Sequence, residues 1–275
     1  MIARILNAYL VELTKAIRLR FTYVGPVLVV LAVLAAPLAY PIARDQMSDY
    51  GFAAYAVQMA LNILGFLMIL LYCATLIASE TASGTIRSVL LRPIYRREFF
   101  IAKALIGLTY ATVICVFAGT AAWCMVFVAG DLAGVYYGGE MIYTDVEMRL
   151  AYIQALALGL LPLYAGVAYA LLISVCARNT TTAVGTAIGL WIFTDTVKYP
   201  LNLAPYLFSS YLESPWTSFV HRANAIEILP AADLNLAGSE FLHRIVDNGI
   251  LPSLITMLLC FALGLYVFSR KNFST

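Results

Sequence analysis

The chain has 275 residues, of which 63% are hydrophobic and 12% are charged, and its formal net charge is +2. A soluble domain has roughly 45–50% apolar and 25% charged residues, so this chain has too few polar side chains to cover a water-soluble surface. The composition excludes a soluble globular protein and predicts an integral membrane protein. No nucleic-acid partner is expected.

The transmembrane helices are predicted from the gaps between charged residues. Five gaps reach the roughly 20 residues needed to cross ~30 Å of hydrocarbon. A sixth, of 16 residues, crosses if Asp195 lies near an interface. The six uncharged runs are 21–43, 50–79, 104–130, 150–177, 179–194 and 248–269. We therefore predict one all-α membrane domain over residues 1–275, with six transmembrane helices.

Residues 1–22 precede the first span and have apolar and basic side chains at helical spacing. This pattern predicts an amphipathic helix in the cytoplasmic interface, and an ordinary basic anchor is the alternative. The apolar face contains Ile2, Ile5, Leu6, Tyr9, Leu10, Leu13 and Ile17, and the other face contains Arg4, Asn7, Val11, Lys15 and Arg18.

Gln58 and Asn62 in the second predicted span and Gln154 in the fourth are uncharged polar residues within apolar runs. Such groups avoid lipid and must face a partner group or a wet cavity. Hydrogen bonding between helices is the simpler interpretation, and contact with a cargo is the alternative.

The loop between the second and third spans, residues 79–103, is basic. Ile86, Val89 and Leu90 have helical spacing, and Pro93 ends this short helix because it lacks an N–H. A second helix is predicted to begin near Arg96. The loop is thus a short amphipathic helix joined stiffly to two spans, which suits it to transmit a push from a cytosolic partner. A plain basic loop that contacts lipid phosphates is the alternative.

The fifth span contains Gly185 and Gly189 in a G-x-x-x-G pattern, which lets two helices approach closely. The pattern fits packing within one subunit or a seam between two copies. At the end of this span, Asp195 and Lys198 are three residues apart and can pair on one helix face. A local ion pair is one interpretation, and a gate or a cargo contact is the other.

The predicted outer loop 196–247 begins with an uncharged segment, 199–212, that contains two prolines and is too short to cross. A re-entrant or interfacial segment is therefore predicted. The size and acidity of the outer loops permit an extracytoplasmic partner.

The orientation follows from the basic residues. With both termini in the cytoplasm, the inner segments contain 12 of the 17 Lys and Arg residues but only three of the 15 acids. This asymmetry agrees with the positive-inside rule.

Catalytic and ligand-binding motifs are absent from the sequence. It contains no phosphate-binding loop and no H-E-x-x-H or G-x-S-x-G motif. The five cysteines have no metal-ligand or disulfide spacing. We expect no enzymatic activity and no bound cofactor or metal.

The pattern Glu80-x-x-x-Gly84-Thr85-Ile86-Arg87-x-x-Leu90-x-Arg92-Pro93-Ile94-x-Arg96, followed by Lys103, resembles the signature of type-2 permeases of ATP-binding-cassette (ABC) exporters. It is similar to the permeases of bacitracin-type drug exporters and of nitrous oxide reductase maturation. The six-span layout, the lead-in helix and the long last outer loop extend this resemblance along the chain.

The resemblance implies a permease in a prokaryotic inner membrane, paired with a second copy and with two ABC ATPase subunits that bind ATP and Mg. The loop would be the coupling helix that contacts an ATPase. The residues that would form or brace this contact are Glu80, Gly84, Thr85, Arg87, Arg92, Pro93 and Arg96. A membrane scaffold or sensor that moves no cargo, and an ATP-independent secondary carrier, are the alternative functions.

Overall fold

The computed structural model describes residues 2–85, 95–130, 135–137, 140–213, 215–217, 219 and 250–271. Its helices are α1 (Ile2–Arg18), α2 (Arg20–Ala39), α3 (Pro41–Gln46), α4 (Asp49–Met59), a π-helical turn (Ala60–Gly65), α5 (Phe66–Ala82), α6 (Arg96–Ala129), α7 (Asp145–Cys176), α8 (Thr180–Val197) and α9 (Leu251–Arg270). Two short 3-10 helices, Ala204–Tyr206 and Phe208–Tyr211, follow α8.

The described residues also form a small antiparallel hairpin beside the helices. Strand β1 (Val135–Tyr137) pairs with β2 (Glu140–Tyr143). Valine, isoleucine and tyrosine favour extended backbone, which explains strands in a segment predicted only as an outer loop.

Five helical stretches of the described chain are long and apolar enough to cross a membrane: α2, α4 continued through the π-helical turn into α5, α6, α7 and α9. The predicted fifth span, 179–194, corresponds to α8, which is 18 residues long and is not among these five helical stretches. Its six threonines and Asp195 dilute its apolar residues.

The direction of the chain bears on the course of α8. The last turns of α7 and α9 meet, because Lys271 Nζ donates to the carbonyls of Val175 (2.6 Å) and Ala177 (3.1 Å). The two helices therefore run the same way, and the chain must cross back between them. Of the described helices in this interval, only α8 is long enough, at about 27 Å.

The helical bundle has two ends. The end of α5 and the start of α6 lie at one of them, which we call the loop end. It also holds the ends of α7 and α9, since Arg96 Nη1 donates to the carbonyls of Ser269 (3.1 Å) and Lys271 (3.0 Å). The far end holds Tyr50 at the start of α4, whose hydroxyl donates to Asp145 at the start of α7.

Helix α1 forms as predicted but uses its faces differently. Ala8, Glu12 and Ala16 are buried against the rest of the protein, and the apolar Leu6 and Ile17 are exposed. The contact with the bundle, mainly α6, uses the three buried residues together with the partly buried Tyr9 and Leu13. The exposed Leu6, Leu10 and Ile17 remain free to contact lipid.

The predicted re-entrant segment enters the bundle from the far end. The ring of Phe208 lies 6.0 Å from that of Phe66 and 6.1 Å from that of Tyr169. Phe66 is about 25 Å along the helix that begins at Asp49. Closer to the far end, buried Trp216 contacts Tyr152. The segment is thus inserted among the helices.

Candidate functional site

A buried lysine connects three elements at the loop end. Lys103, in the second turn of α6, is 3% exposed. Its Nζ lies 2.5 Å from Glu12 Oε2 on α1 and 2.7 Å from Glu80 Oε1 at the end of α5. One ammonium group therefore joins both roots of the predicted coupling loop to the N-terminal helix.

A second lysine completes this group. Lys15 Nζ lies 2.7 Å from Glu12 Oε1 and 3.6 Å from Glu80 Oε1, and its side chain is about half exposed. We call Glu12, Lys15, Glu80 and Lys103 the ion cluster. It contains two carboxylates and two ammonium groups, so its charge is balanced where water is largely excluded. Removal of one partner from such a buried pair leaves an uncompensated charge and costs about 3–5 kcal/mol.

The electrostatics of α1 reflect this balance. Burial opposes ionisation of Glu12, but Lys103 and Lys15 outweigh burial and lower the pKa of Glu12 below its usual 4.5. Burial likewise disfavours the charged form of Lys15, yet Glu12 and Glu80 raise its pKa above 10.5. Both groups are therefore charged at neutral pH, and each stabilises the other.

A capping interaction fixes the start of α6 beside the cluster. The Glu98 carboxylate accepts from the backbone N–H of Tyr95 at 3.1 Å and is almost fully buried. Arg4 Nε lies 3.3 Å from Glu98 Oε1, and the Arg4 guanidinium stacks over the Tyr95 ring. Helix α1 is thus attached to α6 through Arg4, through Glu12 and through Tyr9, whose hydroxyl lies 2.9 Å from Thr109 Oγ1.

A buried hydroxyl fixes the end of α5 on the other side. Ser174 Oγ on α7 accepts from the backbone N–H groups of Ile77 (3.1 Å) and Ala78 (3.0 Å). Beyond this contact α5 ends with Gly84 at φ +71°, a left-handed conformation that favours glycine. Gly84 and Thr85 are exposed.

The structure assigns different environments to the predicted coupling residues. Glu80 faces inward to Lys103, and Arg96 binds the end of α9. Arg87, Arg92 and Pro93 lie outside the described residues, and their proposed contact with an ATPase stays a prediction.

Sequence reasoning missed the role of Glu12 and Lys15. Two signals were available. Glu12 is the single acid in the first 44 residues, and it lies three residues before Lys15, the spacing of a helical ion pair. No sequence signal predicts its contact with Lys103, 91 residues away.

A second polar site lies in the far half of the bundle. Asn62 Nδ2 donates to the carboxylate of Glu213, and Gln58 Nε2 lies 3.5 Å from the same carboxylate. Gln58 also donates to Thr217 Oγ1 at 3.1 Å. The predicted polar partner of Gln58 and Asn62 is therefore Glu213, which directly follows the re-entrant segment 199–212 and belongs to the predicted outer loop 196–247.

The remaining polar candidates do not join this second site. Gln154 is exposed on the surface of α7, and its contact with a partner group or a wet cavity stays a prediction. Asp195 accepts from the buried Lys198, which agrees with a local ion pair.

Gly185 and Gly189 lie on an exposed face of α8, and a Cβ atom at either position would meet nothing within 4 Å. Among the described residues nothing packs against these two glycines, and both packing within one subunit and a seam with a second copy stay predictions.

No curated protein matches the chain. A family model described as "ABC-2 family transporter protein" matches residues 9–195, from α1 through the loop and most of α8. This match covers well over half of the chain and includes all four residues of the ion cluster. Together with the five apolar helices, it shows that the chain belongs to the ABC-2 transporter family, whose members are membrane permease components of ABC transporters and associate with an ABC ATPase.

Proposed function

We propose that this permease is the translocating subunit of an ABC exporter and that its ion cluster transmits the ATPase stroke to the membrane helices. The observation that carries the proposal is the position of Lys103, which joins both roots of the loop to α1. A loop attached at both roots moves as part of a rigid body.

The mechanism requires that stiffness. ATP binding shifts a conformational equilibrium only by the difference in its interaction with the two states. A flexible loop would deform when the ATPase changes state, and the membrane helices would not respond to ATP binding. Here the end of α5, the start of α6 and α1 are held together by buried charges, so displacement of the loop tilts three helices at once. Ser174 adds α7 to the same unit.

The orientation is part of the proposal. The loop end contains most of the basic residues and faces the cytoplasm under the positive-inside rule. Both termini then lie on the cytoplasmic side of a prokaryotic inner membrane. The exposed Leu6, Leu10 and Ile17 of α1 contact lipid at that interface.

The partners follow from the same arrangement. Two ATPase subunits hold ATP and Mg and supply hydrolysis, while this chain, as a single domain, catalyses no reaction. A second permease copy completes the path, and the exposed face of Gly185 and Gly189 allows the close helix approach that such a seam needs.

The test uses Gly84, whose positive φ is required where the loop leaves α5. In liposomes containing the permease and its ABC ATPase, Gly84→Val should weaken the link between ATP hydrolysis and cargo movement, because a β-branched residue is strained at this φ. Gly84→Asn is the matched control, since asparagine tolerates the left-handed region. Equal transport by both variants, or transport without any ATPase, would overturn the proposal.

A further inference from the structure

Glu213 holds an unusual position for a carboxylate. It lies just after the re-entrant segment, two residues beyond the 3-10 helix Phe208–Tyr211, and accepts from Asn62, which lies in the π-helical turn. π-Helical turns inside α-helices are frequent at functional sites. Gln58 and Thr217 complete the polar surroundings.

The depth of this group places it within the membrane. Asn62 precedes Glu80 by 18 residues on one continuous helical stretch, which is about 27 Å at 1.5 Å per residue. The hydrocarbon core is about 30 Å thick. With Glu80 at one boundary, Glu213 lies at the level of the opposite leaflet.

The charge of Glu213 is not balanced in the described structure. Among the described residues, no lysine or arginine lies within ion-pair distance of its carboxylate. Glu12, Asp49, Asp145 and Asp195, by contrast, each pair with a lysine or an arginine. An ionisable residue at membrane depth that is held by neutral groups is expensive and marks a functional site.

We propose that Glu213, with Gln58, Asn62 and Thr217, binds a cationic group of the transported cargo, a primary ammonium or a guanidinium. This inference rests on the proposed transport function. One carboxylate matches one positive charge, and the amide and hydroxyl oxygens can accept the remaining N–H donors. Ca²⁺, by comparison, takes six to eight oxygen ligands, often from several carboxylates. Glu213 is partly exposed, which leaves room for a ligand.

The test measures direct binding to the purified full chain in nanodiscs. The probe is monodansylcadaverine, which carries a primary ammonium, and its uncharged N-acetyl derivative is the comparison. Wild type should bind the cationic probe at least tenfold more tightly than the acetylated one. Glu213→Gln should abolish this preference, and Glu213→Asp should retain most of it.

The control is Asp145→Asn, which removes a far-end carboxylate that already pairs with Arg149. It should keep the preference for the cationic probe. Thermal unfolding of each variant checks that it is folded.

Three outcomes would overturn the proposal: equal binding of both probes to wild type, an unchanged preference in Glu213→Gln, or displacement of the probe by micromolar Mn²⁺ only when Glu213 is present. The ATPase-linked test of Gly84 does not use this site, so failure here and failure of the transport function are distinguishable.

Discussion

The two polar sites of this permease differ in how their charges are balanced. At the loop end, two carboxylates and two ammonium groups neutralise one another across α1, α5 and α6. In the far half, one carboxylate is held by neutral groups. A balanced buried cluster stabilises one arrangement of helices and suits a mechanical joint. An unbalanced carboxylate retains affinity for an incoming cation and suits a binding site.

The largest effect on stability and coupling should come from a substitution in the ion cluster. Lys103→Met removes the ammonium group that lies between the carboxylates of Glu12 and Glu80. We expect a loss of about 3–5 kcal/mol in the free energy of unfolding, because two largely buried carboxylates then lose their shared cation. ATP hydrolysis by the bound ATPase should no longer respond to cargo. Denaturation of the purified chain and ATPase assays in liposomes measure the two effects.

Lys198→Met provides the matched control, because Lys198 is also a buried lysine that pairs with a carboxylate, but on α8. It should lower stability while preserving the response to cargo. If both variants abolish the response of ATP hydrolysis to cargo equally, the ion cluster has no special role in coupling.

Neutralisation of one acid in each site should give opposite results. Glu12→Gln weakens bonds to Lys103 and Lys15 and should cost about 1.5–3 kcal/mol, the value of a hydrogen bond to a charged group. Glu213→Gln removes a carboxylate that pairs with no lysine or arginine of the described residues, so its unfolding temperature should be no lower than that of wild type. A marked loss of stability in Glu213→Gln would contradict the assignment of the two sites.

Acid should release α1 before it unfolds the spans. Because the folded-state pKa of Glu12 is lowered, its stabilising effect is complete above pH 4.5, the usual pKa, and is lost as the pH falls through the folded value. The fluorescence of a label at exposed Asn7 should change below about pH 4.5 in wild type. The same titration of Glu12→Gln should lack this transition.

The smallest effect should come from Ser174→Ala. It removes one acceptor from the backbone of α5 without leaving a buried charge, and we expect a loss of about 0.5–1.5 kcal/mol. Hydrogen exchange at Ile77 and Ala78 should become faster. Unchanged exchange would indicate that Ser174 does not fix the end of α5.

Most of the fold could be predicted from the sequence because lipid excludes charges. The uncharged run 50–79 lies within the helical stretch Asp49–Ala82, and α6 begins at Arg96 as expected. The ion cluster could not be predicted in full, since Glu12 and Lys103 are brought together by the packing of α1 on α6. The composition of 196–247 resembles an outer loop, and only packing shows that Glu213 is inserted beside Asn62.

The central claim is that α1 and the roots of the loop move as one body. Spin labels at Asn7 on α1 and at Ala82, both exposed, report it in the ATPase complex after the native cysteines are replaced. In wild type, the mean distance between the labels should stay constant when a non-hydrolysable ATP analogue binds. In Lys103→Met, the distribution of distances should become broader. A nucleotide-dependent change of several ångströms in wild type would contradict the claim.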